Sequence, residues 1–166
     1  ETNDGYRFVF FGVHPPPPSP TEEATSKERD GDLLSVAKQV KDYKLPVFVT
    51  GDFNTVAWSR ASILFKKTSG LIDARYGRGY LATFHTKYWF FRIPLDLLYH
   101  SSTIFIRYLK ILPSIGSDHF PIMSIFYIDK NNDEQESDIK TLDSDEKIEV
   151  EELIEEGKEE VSDNRQ

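Results

Sequence analysis

Apolar and polar positions in the first part of the chain follow two different periodicities. Residues 6–13 are rich in aromatic and β-branched side chains, which predicts a buried strand. Residues 26–43 place apolar side chains at helical spacing, with Lys and Asp on the other side, which predicts an amphipathic helix. A second buried strand is predicted over residues 47–50, and Ser59 is positioned to cap a short helix over residues 60–67.

The second part of the chain consists of short apolar runs separated by loops. A loop is expected over residues 74–80, and strands are expected over four runs: 81–85, 95–100, 103–112 and 121–128. The last run is apolar at nearly every position, as a central strand buried on both faces would be. Strands with one clear helix between the first two indicate a layered α/β domain.

The net charge of −8 is concentrated near the C-terminus. Residues 129–166 contain 16 acidic and 5 basic side chains, a net charge of −11, which leaves residues 1–128 at +3. Like-charge crowding opposes a stable isolated helix, so we expect this segment to be mostly disordered or weakly helical. A body at +3 attracts anionic substrates but lacks the charge of a strong nucleic-acid binder. The absence of Cys excludes disulfides and thiolate metal sites, and no apolar run is long enough to span a membrane.

Four polar clusters stand at the ends of predicted strands. They are the segments GVH (12–14), GDFN (51–54), PLDLLYHS (94–101) and SDHFPI (117–122). Taken alone, His14 is explained as a surface loop residue, and Asp52 and Asn54 as turn formers. Asp96 is harder to explain, because an acid between leucines needs a dedicated partner. Ligand sites of layered α/β proteins form beyond strand ends, so the four clusters together indicate one site.

In this order and at these separations the four segments resemble the endonuclease/exonuclease/phosphatase superfamily. Its members include pancreatic deoxyribonuclease, apurinic/apyrimidinic endonucleases, inositol polyphosphate 5-phosphatases and neutral sphingomyelinases. The resemblance covers residues 6–128 and implies an α/β (α+β) fold, the C-terminal portion of a four-layer α/β/β/α sandwich of the DNase I-like type. Residues 1–128 would then be the C-terminal half of such a domain, and residues 129–166 an acidic tail outside it.

The resemblance assigns a role to each polar residue of the clusters. Asp52 would orient or deprotonate the attacking water, and Asn54 would hold the phosphate or a metal-bound oxygen. His119 would stabilise the developing charge or take a proton, while Asp96 would fix its tautomer. His14 would lie beside the leaving-group oxygen.

A divalent cation, Mg²⁺ or Mn²⁺, is also implied, with Asp118, Asp52 and Asn54 as candidate ligands. The family's metal-binding Glu, which lies in its N-terminal half, has no counterpart in this chain. Leu97 stands where the family often has His or Tyr. The fragment by itself is therefore expected to be inactive, and its exposed sheet face is expected to be covered by a missing N-terminal half or by a homodimer partner.

Further segments, VHPPP, GDFNTVAWS, SGLIDA (69–74) and Thr83-Phe84, look most like a bacterial subgroup that has membrane-spanning segments ahead of the hydrolase domain. This implies a parent protein held at the cell membrane through segments upstream of residue 1.

Two classes of function are open. The first is a metal-dependent phosphoesterase acting on a lipid head group, a nucleic acid or a small molecule, with the lipid slightly favoured over DNA. The second is a non-catalytic binding module that keeps the fold. The aromatic run 88–91 is a candidate lip for a lipid, although core or sheet-edge packing is the commoner role of such a run.

Overall fold

The computed structural model describes residues 1–17 and 26–163 of the chain, with side chains through residue 160. Its helices and strands follow one another in this order: β1 Val9–Val13, α1 Lys27–Lys41, β2 Val47–Asp52, α2 Arg60–Ser69, β3 Ile72–Asp73, β4 Asp96–His100, β5 Ile104–Ile111, β6 Ile122–Ile128, a 3₁₀ turn Glu136–Asp138, and α3 Ser144–Asp163. This is the mixed α/β architecture that the sequence predicts.

The first sheet has four strands in the order β1-β2-β4-β3. β1 runs parallel to β2, and β4 runs antiparallel to both β2 and β3. Gly51 near the end of β2 has φ of 150°, and a Cβ there would lie 1.9 Å from the Val13 carbonyl oxygen. Only glycine therefore allows the ends of β1 and β2 to approach this closely, and those ends carry two of the polar clusters.

Helices α1 and α2 cover one face of this sheet. The apolar stripe of α1, which includes Leu33 and Ala37, packs with Val49, Phe65 and Tyr99 in a fully buried core. Helix α2 begins where the Ser59 side chain accepts a hydrogen bond from the Ser62 amide, and it ends at Gly70 in the left-handed conformation. Burial of each large apolar side chain stabilises the fold by about 1.5–3 kcal/mol.

A second, two-stranded sheet of β5 and β6 packs on the other face of the first sheet. Its buried side chains include Ile104 and Ile128, which pack with Phe48 and Leu98 of the first sheet. The expectation that the 121–128 strand is buried on both faces is wrong, since Ile125 and Tyr127 are about half exposed. In the described residues β6 pairs with β5 alone, and only one of its faces contacts the first sheet.

The predicted strand over residues 81–85 is also absent. Phe84 instead makes isolated bridges to Ile93 and His119, so this segment is a loop that joins two others.

The acidic segment differs most from its prediction. Where disorder or a weak helix was expected, the structure has the 20-residue helix α3 packed against α1 and α2. A small apolar cluster of Leu34, Leu64, Val150 and Ile154 lies between the three helices.

Two kinds of contact with the other helices stabilise α3. Gly157 lies directly against α1, where a Cβ would be 2.8 Å from the Lys27 carbonyl oxygen. Acidic side chains of α3 pair with basic side chains of α1 and α2, as in Lys67–Glu146 at 2.5 Å and Lys38–Glu151 at 2.5 Å. These contacts relieve the like-charge crowding on which the prediction of disorder was based. No helix within the described ranges is long and apolar enough to cross a membrane.

Candidate active site

The ends of the first sheet bring the predicted polar residues together. Asp52, the last residue of β2, and Asp96, the first residue of β4, are direct partners in the antiparallel register. His119 lies in the loop just before β6, and His14 follows β1. Four residues far apart in sequence thus converge: three lie at or next to strand ends on one edge of the first sheet, and the fourth, His119, comes from the loop before β6.

His119 is held between two carboxylates. Its Nδ1 lies 2.7 Å from Asp96 Oδ2, and its Nε2 lies 3.6 Å from Asp52 Oδ2. Asp96 accepts the Nδ1 proton, which leaves Nε2 as the ring atom facing Asp52. All three side chains are about one-fifth exposed, so the group is accessible to a ligand but not freely solvated.

The surroundings of His119 also determine its charge. Burial lowers the pKa of the imidazole, but the hydrogen bond with Asp96 and the negative charges of Asp96, Asp52 and Asp118 outweigh that effect. The net result is a pKa raised above the ordinary value of 6.5. The imidazolium form is therefore more populated near neutral pH than in a free histidine.

Asp52 is oriented by its own loop. Its Oδ1 accepts a hydrogen bond from the Asn54 amide at 2.8 Å, and its Oδ2 lies 3.9 Å from Nε2 of His14. The His14 side chain is 75% exposed, which places it at the rim of the site. One carboxylate oxygen is thus fixed by the backbone, while the other faces both histidines.

Asn54 has positive φ of 48°, in the left-handed region that Asn tolerates better than most residues. Its side-chain nitrogen donates to the Pro15 carbonyl at 2.8 Å, and its own carbonyl accepts from Arg29 Nη1 at 3.1 Å. The side-chain nitrogen is therefore engaged with the protein, whereas no residue in the described part of the chain donates a hydrogen bond to the Oδ1 atom.

Two supporting residues have no assigned role in the sequence analysis. Arg29 of α1 ties the Asn54 carbonyl to the helix, and its side chain is only 11% exposed. Thr83 is fully buried, and its hydroxyl accepts a hydrogen bond from the Asp96 amide at 3.2 Å. The sequence pattern does not identify Arg29 as a site residue, because an Arg in an amphipathic helix is expected to face solvent. Thr83 enters the sequence analysis only as part of the family resemblance, without a role of its own.

The loop that carries His119 is tied to its neighbours by the backbone. The Ser117 hydroxyl accepts from the His119 amide at 3.1 Å, and the Phe120 amide donates to the Thr83 carbonyl at 2.8 Å. Asp118 is exposed, and a hydrogen bond with its own backbone amide lowers the pKa of its carboxyl. The Asp118 carboxylate contacts Ser117 at 3.3 Å, so its side-chain hydrogen bond is local.

The site offers part of what a Mg²⁺ or Mn²⁺ ion requires. Asp52 and Asn54 offer oxygen atoms close together, as such ions require. Nevertheless, the described part of the chain has no group of three or more His, Asp or Glu side chains that could hold a metal ion. The described residues alone therefore do not make up a complete metal centre.

A family model described as the Endonuclease/Exonuclease/phosphatase family matches residues 1–119. The match includes every residue of the cluster, from His14 to His119. The chain belongs to this family. A comparison with curated proteins gives no match.

Solved structures with the same fold include three informative neighbours. A mannosyl-6-phosphatase of Bacteroides thetaiotaomicron matches 75% of this chain with a TM-score of 0.56 and 20% identity. An endonuclease/exonuclease/phosphatase family protein of the same organism matches 78%, with a TM-score of 0.58 and 20% identity. The human Nocturnin catalytic domain with bound sulfate matches 76%, with a TM-score of 0.58 and 20% identity. These matches show the DNase I-like fold, and they cover 52%, 52% and 49% of the neighbours' own chains, so this chain spans about half their length.

Proposed function

We propose that the chain carries the acid–base part of a site that hydrolyses phosphate esters by attack of water. The observation that carries the proposal is the position of the His119 imidazole, 2.7 Å from Asp96 and 3.6 Å from Asp52 at the ends of adjacent strands. The names of the family and of the mannosyl-6-phosphatase neighbour support phosphate esters as the substrate class.

His119 interacts with the phosphate in this proposal. Asp96 fixes the Nδ1 proton, so the protonated ring presents Nε2–H to a phosphate oxygen and stabilises the negative charge that develops there. The raised pKa supports this role, because it increases the fraction of imidazolium at neutral pH.

Asp52 acts on the water. Its Oδ1 is held by the Asn54 amide, so Oδ2 has a defined direction from which to orient a water molecule or accept its proton. Asn54 contributes the Oδ1 of its side chain to the same space, and His14 at the exposed rim is positioned to meet a leaving-group oxygen.

Four further expectations belong to the proposal and rest on the resemblance. They are a Mg²⁺ or Mn²⁺ requirement, completion of the site by an N-terminal half of the domain or a homodimer partner, a bacterial origin, and attachment of the parent to the cell membrane. The substrate in this proposal is the phosphate ester of a lipid head group, a nucleic acid or a small molecule.

A non-catalytic binding module is the second candidate, and one observation favours it. The described residues do not assemble three metal-ligating side chains. Such a module would bind a phosphate group at His119 without turning it over.

Hydrolysis of p-nitrophenyl phosphate and bis(p-nitrophenyl) phosphate, with Mg²⁺ or Mn²⁺ added, tests the proposal in this chain and in any longer polypeptide that carries it. His119→Ala is expected to lower turnover by at least about 10²-fold, the usual contribution of a positioned acid–base group. His85→Ala is the matched control, because His85 lies in a neighbouring loop outside the Asp52–Asp96–His119 contacts.

NMR of the His119 ring during a titration with inorganic phosphate separates the two candidates. Phosphate-dependent shifts without turnover in any form of the protein would establish the binding module. Turnover that persists in His119→Ala would contradict the proposed mechanism.

A further inference from the structure

The aromatic run over residues 88–91 is on the surface. Tyr88, Trp89, Phe90 and Phe91 are 49%, 82%, 73% and 52% exposed, so the expectation of core or sheet-edge packing for residues 88–91 is wrong. Four adjacent exposed aromatic side chains are unusual, because soluble proteins rarely present contiguous apolar patches of this kind without a binding role.

This run forms the tip of a hairpin-like loop. The loop is closed by backbone hydrogen bonds between Phe84 and Ile93, and the Phe91 amide donates to the Tyr88 carbonyl within it. Thr86 fastens the loop to the segment before His119, since its amide donates to the Asp118 carbonyl at 2.9 Å and its hydroxyl to the Ser117 carbonyl at 2.8 Å. The tip is therefore exposed while its base is held.

Ring contacts connect the tip to the proposed active site. The Phe84 ring lies 4.9 Å from the His119 ring and 4.7 Å from His85, and the His85 ring lies 4.9 Å from Tyr88. From Tyr88 the contacts continue through Phe90 to Trp89. The tip is thus connected to His119 through a continuous series of ring contacts.

A second exposed aromatic pair adjoins the loop. Trp58 stacks on Tyr80 with 6.0 Å between ring centroids, and both are more than half exposed. The Tyr80 hydroxyl donates to the Arg92 carbonyl at 2.8 Å, which joins the pair to the base of the loop. These side chains together form what we call the aromatic rim: Trp58, Tyr80, Tyr88, Trp89, Phe90 and Phe91.

Two basic side chains flank the aromatic tip, and the acidic Asp118 lies at the base of the loop. Lys87 and Arg92 bracket the aromatic tip and are both exposed, and the Arg92 guanidinium lies 4.8 Å from the Phe120 ring. The nearest acidic side chains of α3 are Glu146 and Glu149, which contact Arg60, two residues after Trp58. Both are paired with basic side chains, Glu146 with Arg60 and Lys67 and Glu149 with Arg60. The rim therefore combines exposed aromatic rings with flanking cations.

We propose that the aromatic rim is a docking surface for a membrane of anionic phospholipid. Amphipathic Trp and Tyr rings, with Phe beside them, are favoured at the level of the lipid head groups, and Lys and Arg beside them are attracted to the negative surface. Docking in this orientation places His119 at the membrane surface. The docking is independent of the proposed hydrolysis, so it can be tested by binding alone.

The experiment is cosedimentation of the full chain with vesicles of phosphatidylcholine alone and of phosphatidylcholine with 30% phosphatidylserine. The chain is expected to bind the serine-containing vesicles more tightly, with affinity that falls as salt increases. Trp89→Ser/Phe90→Ser is expected to weaken binding at least about tenfold, and Lys87→Gln/Arg92→Gln to remove the preference for phosphatidylserine.

Ile148→Ser is the matched control, because Ile148 is a 58% exposed apolar side chain on α3 away from the loop. It is expected to leave binding unchanged. Circular dichroism of each variant verifies that the fold is retained.

Tryptophan fluorescence locates the contact. The chain has two Trp residues, so Trp58→Phe leaves Trp89 as the only indole. Its emission is expected to shift to shorter wavelength on vesicle binding and to be quenched by brominated lipid. No binding to either vesicle, or no shift of Trp89, would overturn the proposal; so would tighter rim-dependent binding to a single-stranded oligonucleotide than to vesicles.

Discussion

The cluster around His119 and the acidic helix α3 are both rich in carboxylates, yet the two regions use them in opposite ways. In the cluster, Asp52 and Asp96 face each other across two strands and share one imidazole. On α3, Glu146 and Glu149 are each matched with Lys or Arg from another helix. In the cluster, the excess of negative charge raises the pKa of His119, which is typical of a reactive site. On α3, the negative charges are matched by basic partners and hold this helix against α2.

The largest effect is expected from Asp96→Asn, which removes the charge but keeps the shape. Because the Asn side chain no longer fixes the Nδ1 proton as a carboxylate does, turnover is expected to fall by about 10²–10⁴-fold if the proposed hydrolysis occurs. The pKa of His119, measured by NMR, is expected to fall as well.

Asp118→Asn is the matched control for the titration, since it removes a neighbouring charge without removing the 2.7 Å contact. Its effect on the His119 pKa is expected to be smaller. If the His119 pKa falls equally in the two variants, the hydrogen bond with Asp96 contributes no more to that pKa than a neighbouring charge does.

The next largest effect is expected on the stability of the chain, from a substitution in α3. Gly157→Ala would normally stabilise an exposed helix position by up to about 1 kcal/mol. Here the added Cβ would meet the Lys27 carbonyl oxygen at 2.8 Å, so we expect destabilisation of about 1–3 kcal/mol in urea unfolding. Glu152→Ala, at an exposed position of the same helix, is expected to change stability by less than about 0.5 kcal/mol. A neutral or stabilising Gly157→Ala would mean that α3 is not packed on α1.

The sequence predicted the site better than it predicted α3, and the reason is physical. Asp52 and Asn54 follow a strong apolar strand directly, so their place at a sheet edge is encoded within a few residues. The resemblance then supplied the pairing of Asp96 with His119. The order of α3 depends instead on partners far away in the sequence, such as Lys67 for Glu146, which are 79 residues apart.

Three further features were not predicted from the sequence, again because they depend on contacts between distant residues. Arg29 and Thr83 support the cluster through contacts 25 and 13 residues distant, which no local pattern reveals. The exposure of residues 88–91 was missed because aromatic runs resemble core strands in composition, and only the loop closed by Phe84 and Ile93 turns them outward.

The two regions are also expected to respond to pH in opposite directions. The folded pKa of His119 is raised above 6.5, so its contribution to stability is complete below that value and is lost as pH rises through the raised pKa. The hydrogen bond with Arg60 lowers the pKa of Glu149 below 4.5, so its contribution is present above that value and is lost as pH falls through the lowered pKa.

Unfolding in urea at several pH values measures this difference. The destabilisation caused by His119→Gln should shrink as pH rises above 6.5, and that caused by Glu149→Gln should shrink as pH falls below 4.5. Parallel pH dependence in the two variants would show that the carboxylates of the two regions act alike.

The smallest effect distinguishes two ion pairs that join α3 to the other helices. Lys38 and Glu151 are 43% and 65% exposed, so Lys38→Met is expected to lower the free energy of unfolding by about 0.2–1 kcal/mol and less at high salt. Lys67→Met should destabilise the chain more, because its partner Glu146 is only 7% exposed and would keep a poorly solvated charge. If the two substitutions have equal effects, then the helix is attracted to the domain by its overall charge. If Lys67→Met has the larger effect, the pairing at Glu146 is what positions the acidic helix.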